Sequence, residues 1–290
     1  MATTREIRRR MRSIGNITQI TRAMEMVSAA KMRRATERAQ ASRAYADRIR
    51  TVIAGLSGLT DIESERFPLL VHRPIERMTV ILLTPDKGLA GALNSNIIRR
   101  SVELVRAEPD RRAEIIAVGR KGRDFYRRTN YPLAAEFINL QDWPTIEDLR
   151  PIVDIAIADY TRGRTDAVYL VYTEFVSTLT QRPQARQLLP IVPEFDESAE
   201  EQIRDFIFEP SREEVLEALL PRYIEVQVYQ AVLDALASEH AARMVAMRNA
   251  TETANELLDD LTLSFNKARQ AQITAEVSEI ATAAVALGTG

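Results

Sequence analysis

The last eighty residues, SREEVLEALL PRYIEVQVYQ AVLDALASEH AARMVAMRNA TETANELLDD LTLSFNKARQ AQITAEVSEI ATAAVALGTG (211–290), decide how the rest of the chain is read. Ser211 followed by Glu214 has the spacing of a capping box, in which the serine caps the helix and the glutamate reaches back. Apolar residues then recur at Leu216, Leu219, Leu220, Tyr223, Val226, Val232, Leu236, Met244, Met247, Leu257, Leu258, Leu261, Phe265, Ile273, Val277, Ile280 and Ala284, mostly three or four apart. That spacing is a helical stripe. Between Pro221 and Gly288 there is no glycine and no further proline, so nothing stops the helix once it starts. At ~1.5 Å per residue this is a rod of roughly 100 Å. A compact chain of this length has a radius of gyration near ~19 Å, so the rod is expected to protrude and its stripe to need partners.

The first partner is at the other end of the chain. Ile7, Met11, Ile14, Ile17, Ile20, Met24 and Val27 step by threes and fours, with Gly15 the only breaker before Gly55 and Gly58. From Ala29 to Ala46 the stripe thins into alanines among arginines. Residues 1–50 carry 13 Lys/Arg against 4 Asp/Glu, and residues 209–290 carry 6 against 13, an asymmetry hidden within the formal net charge of −2. Two apolar seams of opposite charge pair most simply as an antiparallel coiled coil, the charges setting pairing preference more than stability. The N-terminal helix is shorter by very roughly 20 Å, so one end of the C-terminal helix is expected to overhang alone.

Between the two rods the pattern changes. Met78–Leu83, Glu114–Val118, Leu133–Ile138, Ala167–Tyr172 and Gln187–Val192 are apolar or β-branched runs of strand length, with helical stretches at 92–107, 120–129 and 145–162. This alternation predicts an α/β domain with a mainly parallel, roughly five-stranded sheet. The fourth and fifth strands, separated by a Thr- and Gln-rich loop containing Pro183, are candidates for an antiparallel pair. An acidic stretch, 193–210, leads back to the rod. The expected organisation is therefore a coiled-coil helix over 1–58, a Rossmann-like α/β domain over 75–208 and a second coiled-coil helix over 209–290.

Candidate chemistry is sparse. With no Cys and two His, at 72 and 240, the chain excludes a thiol nucleophile, a zinc ribbon and a disulfide framework. No apolar window reaches membrane-spanning length, and the N-terminus has basic residues but no apolar signal region. Asp86-Lys87-Gly88-Leu89-Ala90-Gly91 follows a strand and opens a helix, as a phosphate cradle does. It lacks both the Gly-x-Gly start of a dinucleotide fingerprint and the Gly-Lys-Ser/Thr of a P-loop, so its glycines read as turn formers. His240 has no second histidine at helical spacing and reads as a packing or hydrogen-bonding residue. The basic run around Arg8, Arg9 and Arg10 is interleaved with Ile and Met and has no aromatic until Tyr45, which points to an acidic protein partner rather than nucleic acid.

Three stretches resemble the gamma subunit of F-type ATP synthase: Ile14 to Lys31 (IGNITQITRAMEMVSAAK), Asp86 to Gly91 (DKGLAG), and Glu239 to Met247 followed by Leu261 to Ile280. The chain departs from the family's usual pattern at Lys87, commonly Arg, and Ala90, often Cys, and it has no Cys-bearing regulatory insert. The resemblance implies a non-catalytic, cofactor-free shaft of the central stalk that transmits torque between a proton-driven membrane ring and a catalytic head, coupling hydrogen ion transport to ATP synthesis and regulating ATPase activity. The implied partners are the alpha and beta subunits of the head, the epsilon subunit and the membrane c-ring, at the cytoplasmic face of the cell membrane. By the same resemblance Met24 matches a position facing an acidic loop of beta, and Arg243, Gln270, Thr274 and Glu276 match positions that contact the head or hold the two helices in register. Arg8, Arg9 and Arg33 belong to the basic rod that suits such acidic loops. The final turns, Ile273 to Gly290, carry only Glu276 and Glu279 as charges, so the tip has no bulky anchor to lock one orientation. Two other readings are open on the residues alone: an α/β nucleotide-binding enzyme with helical arms, and a coiled-coil module binding nucleic acid.

Overall fold

The computed structural model describes residues 3–59, 66–107, 110–192 and 208–288. The acidic stretch expected to lead back to the rod lies, over 193–207, outside the described residues. Two helices dominate the chain, α1 (Thr4–Leu59, 56 residues) and α5 (Arg212–Gly288, 77 residues). Ser211 caps α5 through its hydroxyl, which accepts from the Glu214 backbone N–H at 3.2 Å. The chain forms two compact units, one of Met1–Ser28 with Met244–Gly290 and one of Ala29–Arg243.

In the first unit the two helices pair antiparallel. Thr4 bonds Gln272, the Arg8 guanidinium lies over the Phe265 ring, Thr21 bonds Thr251 and Arg248 pairs with Glu25. Partner numbers fall as the α1 numbers rise, which only an antiparallel register produces. Among the buried and half-buried positions of α1, Ile7, Met11, Ile14, Thr18, Thr21, Glu25 and Ser28 form a row stepping 4-3-4-3-4-3, with Thr4, Gly15 and Met24 also half-buried. On α5 the facing row is Met244, Met247, Thr251, Ala254, Leu258, Leu261, Phe265 and Ala268, with the same alternation, while Val245, Ala246 and Ala250 are half-buried beside it. This is the heptad period of a coiled coil.

The seam differs from the expected stripe. Ile17, Ile20 and Val27 are 49%, 59% and 56% exposed, and Thr18, Thr21 and Ser28 take the inner positions. The reason is angular: each three-residue step falls about 60° short of a full turn, so successive threes from Ile14 carry the apolar stripe out of a seam that alternates threes and fours. On α5, Leu257, Ile273, Val277 and Ile280 of the expected stripe are likewise exposed. Every residue from 269 to 283 is exposed.

The second unit is built on a five-stranded sheet in the order β3-β2-β1-β4-β5. Its strands are β1 (Arg77–Leu83), β2 (Arg112–Val118), β3 (Leu133–Phe137), β4 (Ala167–Phe175) and β5 (Gln181–Leu189). All pairings are parallel except β4 with β5. The connecting helices are α2 (Leu93–Ala107), α3 (Arg120–Arg128) and α4 (Ile146–Thr161). Alternation along β1 sends Val80 and Leu82 to one face, with Ile97 of α2 and Tyr126 of α3. Ile81 and Leu83 face the other way, into a core shared by α1, α4 and α5. With both faces covered, β1 is buried from Met78 to Leu83 and reads as an unbroken apolar run.

The fifth strand is displaced from its expected place at Gln187–Val192. It starts at Gln181 and ends at Leu189, so Pro183, expected in a loop, lies inside it opposite Thr173. An edge strand needs ladder hydrogen bonds on one side only and tolerates proline, and its polar, Arg-containing sequence conceals it from a search for apolar runs. Arginine and proline on an edge also discourage pairing with another chain.

Candidate functional site

Two surfaces hold the residues of interest, one in each unit. On the first unit α1 carries a second stripe flanking its seam, each residue one position, about 100°, before a seam residue. Ile17, Ile20, Met24 and Val27 follow one another at 3-4-3 spacing, Met24 half-buried and the other three exposed. A second heptad-spaced apolar row on the outside of a two-helix pair has the pattern of a seam for something else. Arg8 and Arg9 are exposed on the same helix. Gln270, Thr274 and Glu276 lie on the exposed end of α5, where Thr274 bonds the Gln270 carbonyl and Gln272 donates to Glu276 at 2.9 Å. Arg33 is exposed in the second unit.

Arg243, by contrast, is 8% exposed. Its guanidinium pairs with Glu239 one turn back at 2.6 Å and donates to the Gly88 carbonyl through Nη2 at 3.2 Å and Nε at 3.4 Å. Its Nη1 is 3.4 Å from Nδ1 of His240, a residue 5% exposed whose Nε2 has no hydrogen-bond partner among the described residues. Burial, reinforced by the charges of Arg243 and Lys31, pushes the His240 imidazole down to about 4, so it is neutral near pH 7. Burial likewise raises the Glu239 carboxyl, with the Arg243 charge pulling the other way. Lys31 of α1 pairs with Asp142 of the β3–α4 connection at 2.6 Å, next to Trp143, whose ring lies beneath Arg38.

The Asp86–Gly91 loop is held from within. The Asp86 carboxylate accepts from the backbone N–H of Arg120 at 2.8 Å and of Asn139 at 2.9 Å. The next two N–H groups at the start of α3 are also taken, Lys121 by the Pro85 carbonyl and Gly122 by the Thr84 hydroxyl. The start of α3 beside this loop, its first amides already partnered, therefore offers no cradle for phosphate. The glycines that make this packing possible are Gly119, at φ 94°, where a Cβ would collide with the Thr84 carbonyl, and Gly122, where it would come within 2.9 Å of the Thr84 hydroxyl. Sequence reasoning passed over both, because a Gly-x-x-Gly pair after a strand has no distinctive spacing. Among the described residues, no group of three or more His, Asp or Glu side chains could hold a metal ion. No helix among them is long and apolar enough to cross a membrane.

Comparison with known proteins covers almost the whole chain. A family model described as ATP synthase matches residues 3–287. The ATP synthase gamma chain of Roseiflexus castenholzii is 52% identical over 290 residues, 99% of each chain. That of Chloroflexus aurantiacus is 48% identical with the same coverage, and that of Dehalococcoides mccartyi 46% identical over 99% of this chain and all of its own. Among solved structures, a chain from the central stalk and c-ring of the Tetrahymena thermophila mitochondrial ATP synthase is 28% identical, with a TM-score of 0.58, covering 80% of this chain and 99% of that one. A chain from the Euglena gracilis mitochondrial enzyme shares the fold at 20% identity, with a TM-score of 0.67 over 99% of this chain and 95% of that one.

Proposed function

Because this chain belongs to the ATP synthase gamma-chain family, a non-catalytic rotor subunit of the synthase's central stalk, we propose that it transmits torque between a proton-driven c-ring and a head of alpha and beta subunits. The observation that carries the reading is the full-length match to gamma chains together with the stripe of Ile17, Ile20, Met24 and Val27, an apolar row that the described residues leave mostly exposed. The rotor does no bond chemistry. Its asymmetric profile, presented in turn to the catalytic sites of the head, biases each toward a different state, a coupling free energy between ring and head. The complex is membrane-associated, and we place this subunit at the cytoplasmic face, attached through its partners.

In this reading Met24, Arg8 and Arg9 face the head from α1, Gln270, Thr274 and Glu276 from the end of α5, and Arg33 adds to the basic surface. Epsilon and the ring engage the α/β unit. A nucleotide-binding enzyme is the weaker reading, because the Asp86 carboxylate and the first amides of the neighbouring helix α3 are spent on the chain itself. The test is reconstitution with alpha and beta subunits and the membrane sector. The isolated chain is expected to show no ATPase activity, and rotary coupling to depend on its addition; full proton-coupled synthesis without it would overturn the assignment.

A further inference from the structure

In an open parallel sheet the crevice for a ligand lies beyond the carboxyl ends of the strands where the strand order reverses. Here that place is between β1, whose next strand is β2 on one side, and β4 on the other. The β1–α2 loop rises there, and α5 crosses nearby, with the Ser238 hydroxyl donating to the Thr173 carbonyl of β4 at 3.1 Å. What reaches the loop is the chain's own arginine. Arg243 uses Nη2 and Nε on the Gly88 carbonyl and shares Nη2 with Glu239, the two side chains only 9% and 13% exposed. A guanidinium divided between a carboxylate and a backbone carbonyl uses the rigid fork that distinguishes arginine from lysine.

The same loop is gripped on its other side by Asp86, whose two oxygens hold the start of α3 and Asn139, two residues past β3. Between the grips the tip is in solvent: Lys87 is exposed, and Leu89 is 63% exposed at φ 61°. A leucine held in the left-handed region is strained, and such strain persists only where the surroundings over-determine it. We propose that Arg243, set by Glu239, is a positioning residue that fastens the long helix α5 to the Lys87–Leu89 tip, so that helix and tip move as one body. Its role in coupling rests on the rotor reading above; its role in holding the loop does not.

Two measurements separate these. In the full-length chain, trypsin cleavage after Lys87 reports the freedom of the tip, with cleavage after the exposed Arg128 as internal control. Arg243→Met removes every donor and is expected to speed cleavage at Lys87, relative to the control, by about tenfold, in line with the loss of charge-assisted bonds. The double variant Glu239→Arg/Arg243→Glu restores an ion pair on the helix but puts a carboxylate, which cannot donate, opposite the Gly88 carbonyl. It is expected to be cleaved as fast as Arg243→Met, while Arg243→Lys, one donor group where there was a fork, falls between that variant and the wild type. Unchanged cleavage in Arg243→Met would overturn the proposal. So would rescue by the charge swap, which would assign the effect to the ion pair alone.

In the assembled synthase the same order is expected for the ratio of proton-coupled synthesis to ATP hydrolysis, with assembly retained. A swap variant with a freed tip but wild-type coupling would overturn the positioning role. A wild-type complex that couples without this chain would instead remove the rotor reading and leave the loop result standing.

Discussion

At the scale of single residues, two titratable groups of the α/β unit, the half-buried Asp234 and the buried His240, oppose one another. Burial, with help from Glu174 and against the pull of Arg43, pushes the Asp234 carboxyl up to about 6. Its contribution to stability is fully present below about pH 4, its ordinary range, and is lost as pH rises through 6. His240 runs the other way: held down to about 4 by burial, with Arg243 and Lys31, it contributes stability above pH 6.5 that is lost as pH falls toward 4. Each effect is on the order of 3 kcal/mol, and the two partly cancel. Asp234→Asn is therefore expected to leave a chain whose denaturant midpoint drops between pH 6.5 and 4.5, and His240→Gln one whose midpoint rises, measured against the wild type over the same window. A second residue-level test concerns the 2.7 Å bond between the Thr21 and Thr251 hydroxyls. Each also contacts a carbonyl of its own helix, Thr18 and Met247, so Thr21→Val should cost only about 1 kcal/mol. Thr21→Val/Thr251→Val should recover most of that loss, read as a double-mutant cycle on helix melting by circular dichroism.

At the scale of elements, α1 presents two rows with different duties, an inner one that turns polar after Ile14 and an apolar one beside it. The inner row, with Ile7 only 7% exposed, holds the pair; the outer row, with Ile20 59% exposed, does not. Ile7→Ser is expected to cost about 2–3 kcal/mol on melting, whereas Ile20→Ser should stay within about 0.5 kcal/mol. Equal losses at both sites would mean that the outer row is buried in the free chain. Met24→Lys, which adds a charge to the outer row, is expected to leave melting nearly unchanged and to lower coupled proton pumping more than assembly, tested in reconstituted vesicles. The helix and strand runs of the sheet were legible because buried parallel strands are continuous in Val, Ile and Leu. The start of β5 was not, because an edge strand is specified by its neighbour's ladder rather than by its own composition. The inner row of α1 was hidden for a related reason: Thr18, Thr21 and Ser28 carry no apolar signal, and they are inside because the partner helix sets the period.

At the scale of the whole molecule, function was legible where length and charge were. A chain with a basic helix at one end and an acidic, unbroken helix at the other makes its own antiparallel pair, and the full-length similarity to gamma chains gives that pair an assembly to serve. The matching prediction is stoichiometric: copurification from membranes should give one copy of this chain to three each of alpha and beta, and a stable complex lacking it but fully coupled is the contrary result. The amino-acid sequence by itself determined that two long helices exist, that they pair, that a mostly parallel sheet lies between them, and that no thiol chemistry is present, because periodicity, breakers and composition are local properties. Only the tertiary structure decided which face of α1 turns inward and where β5 begins. It also decided that Arg243, matched by resemblance to a position that contacts the head or holds the two helices in register, spends donors on Glu239 and the Gly88 carbonyl. Those outcomes depend on which surfaces meet, and that is settled by the angle and register of distant segments rather than by any one segment's own residues.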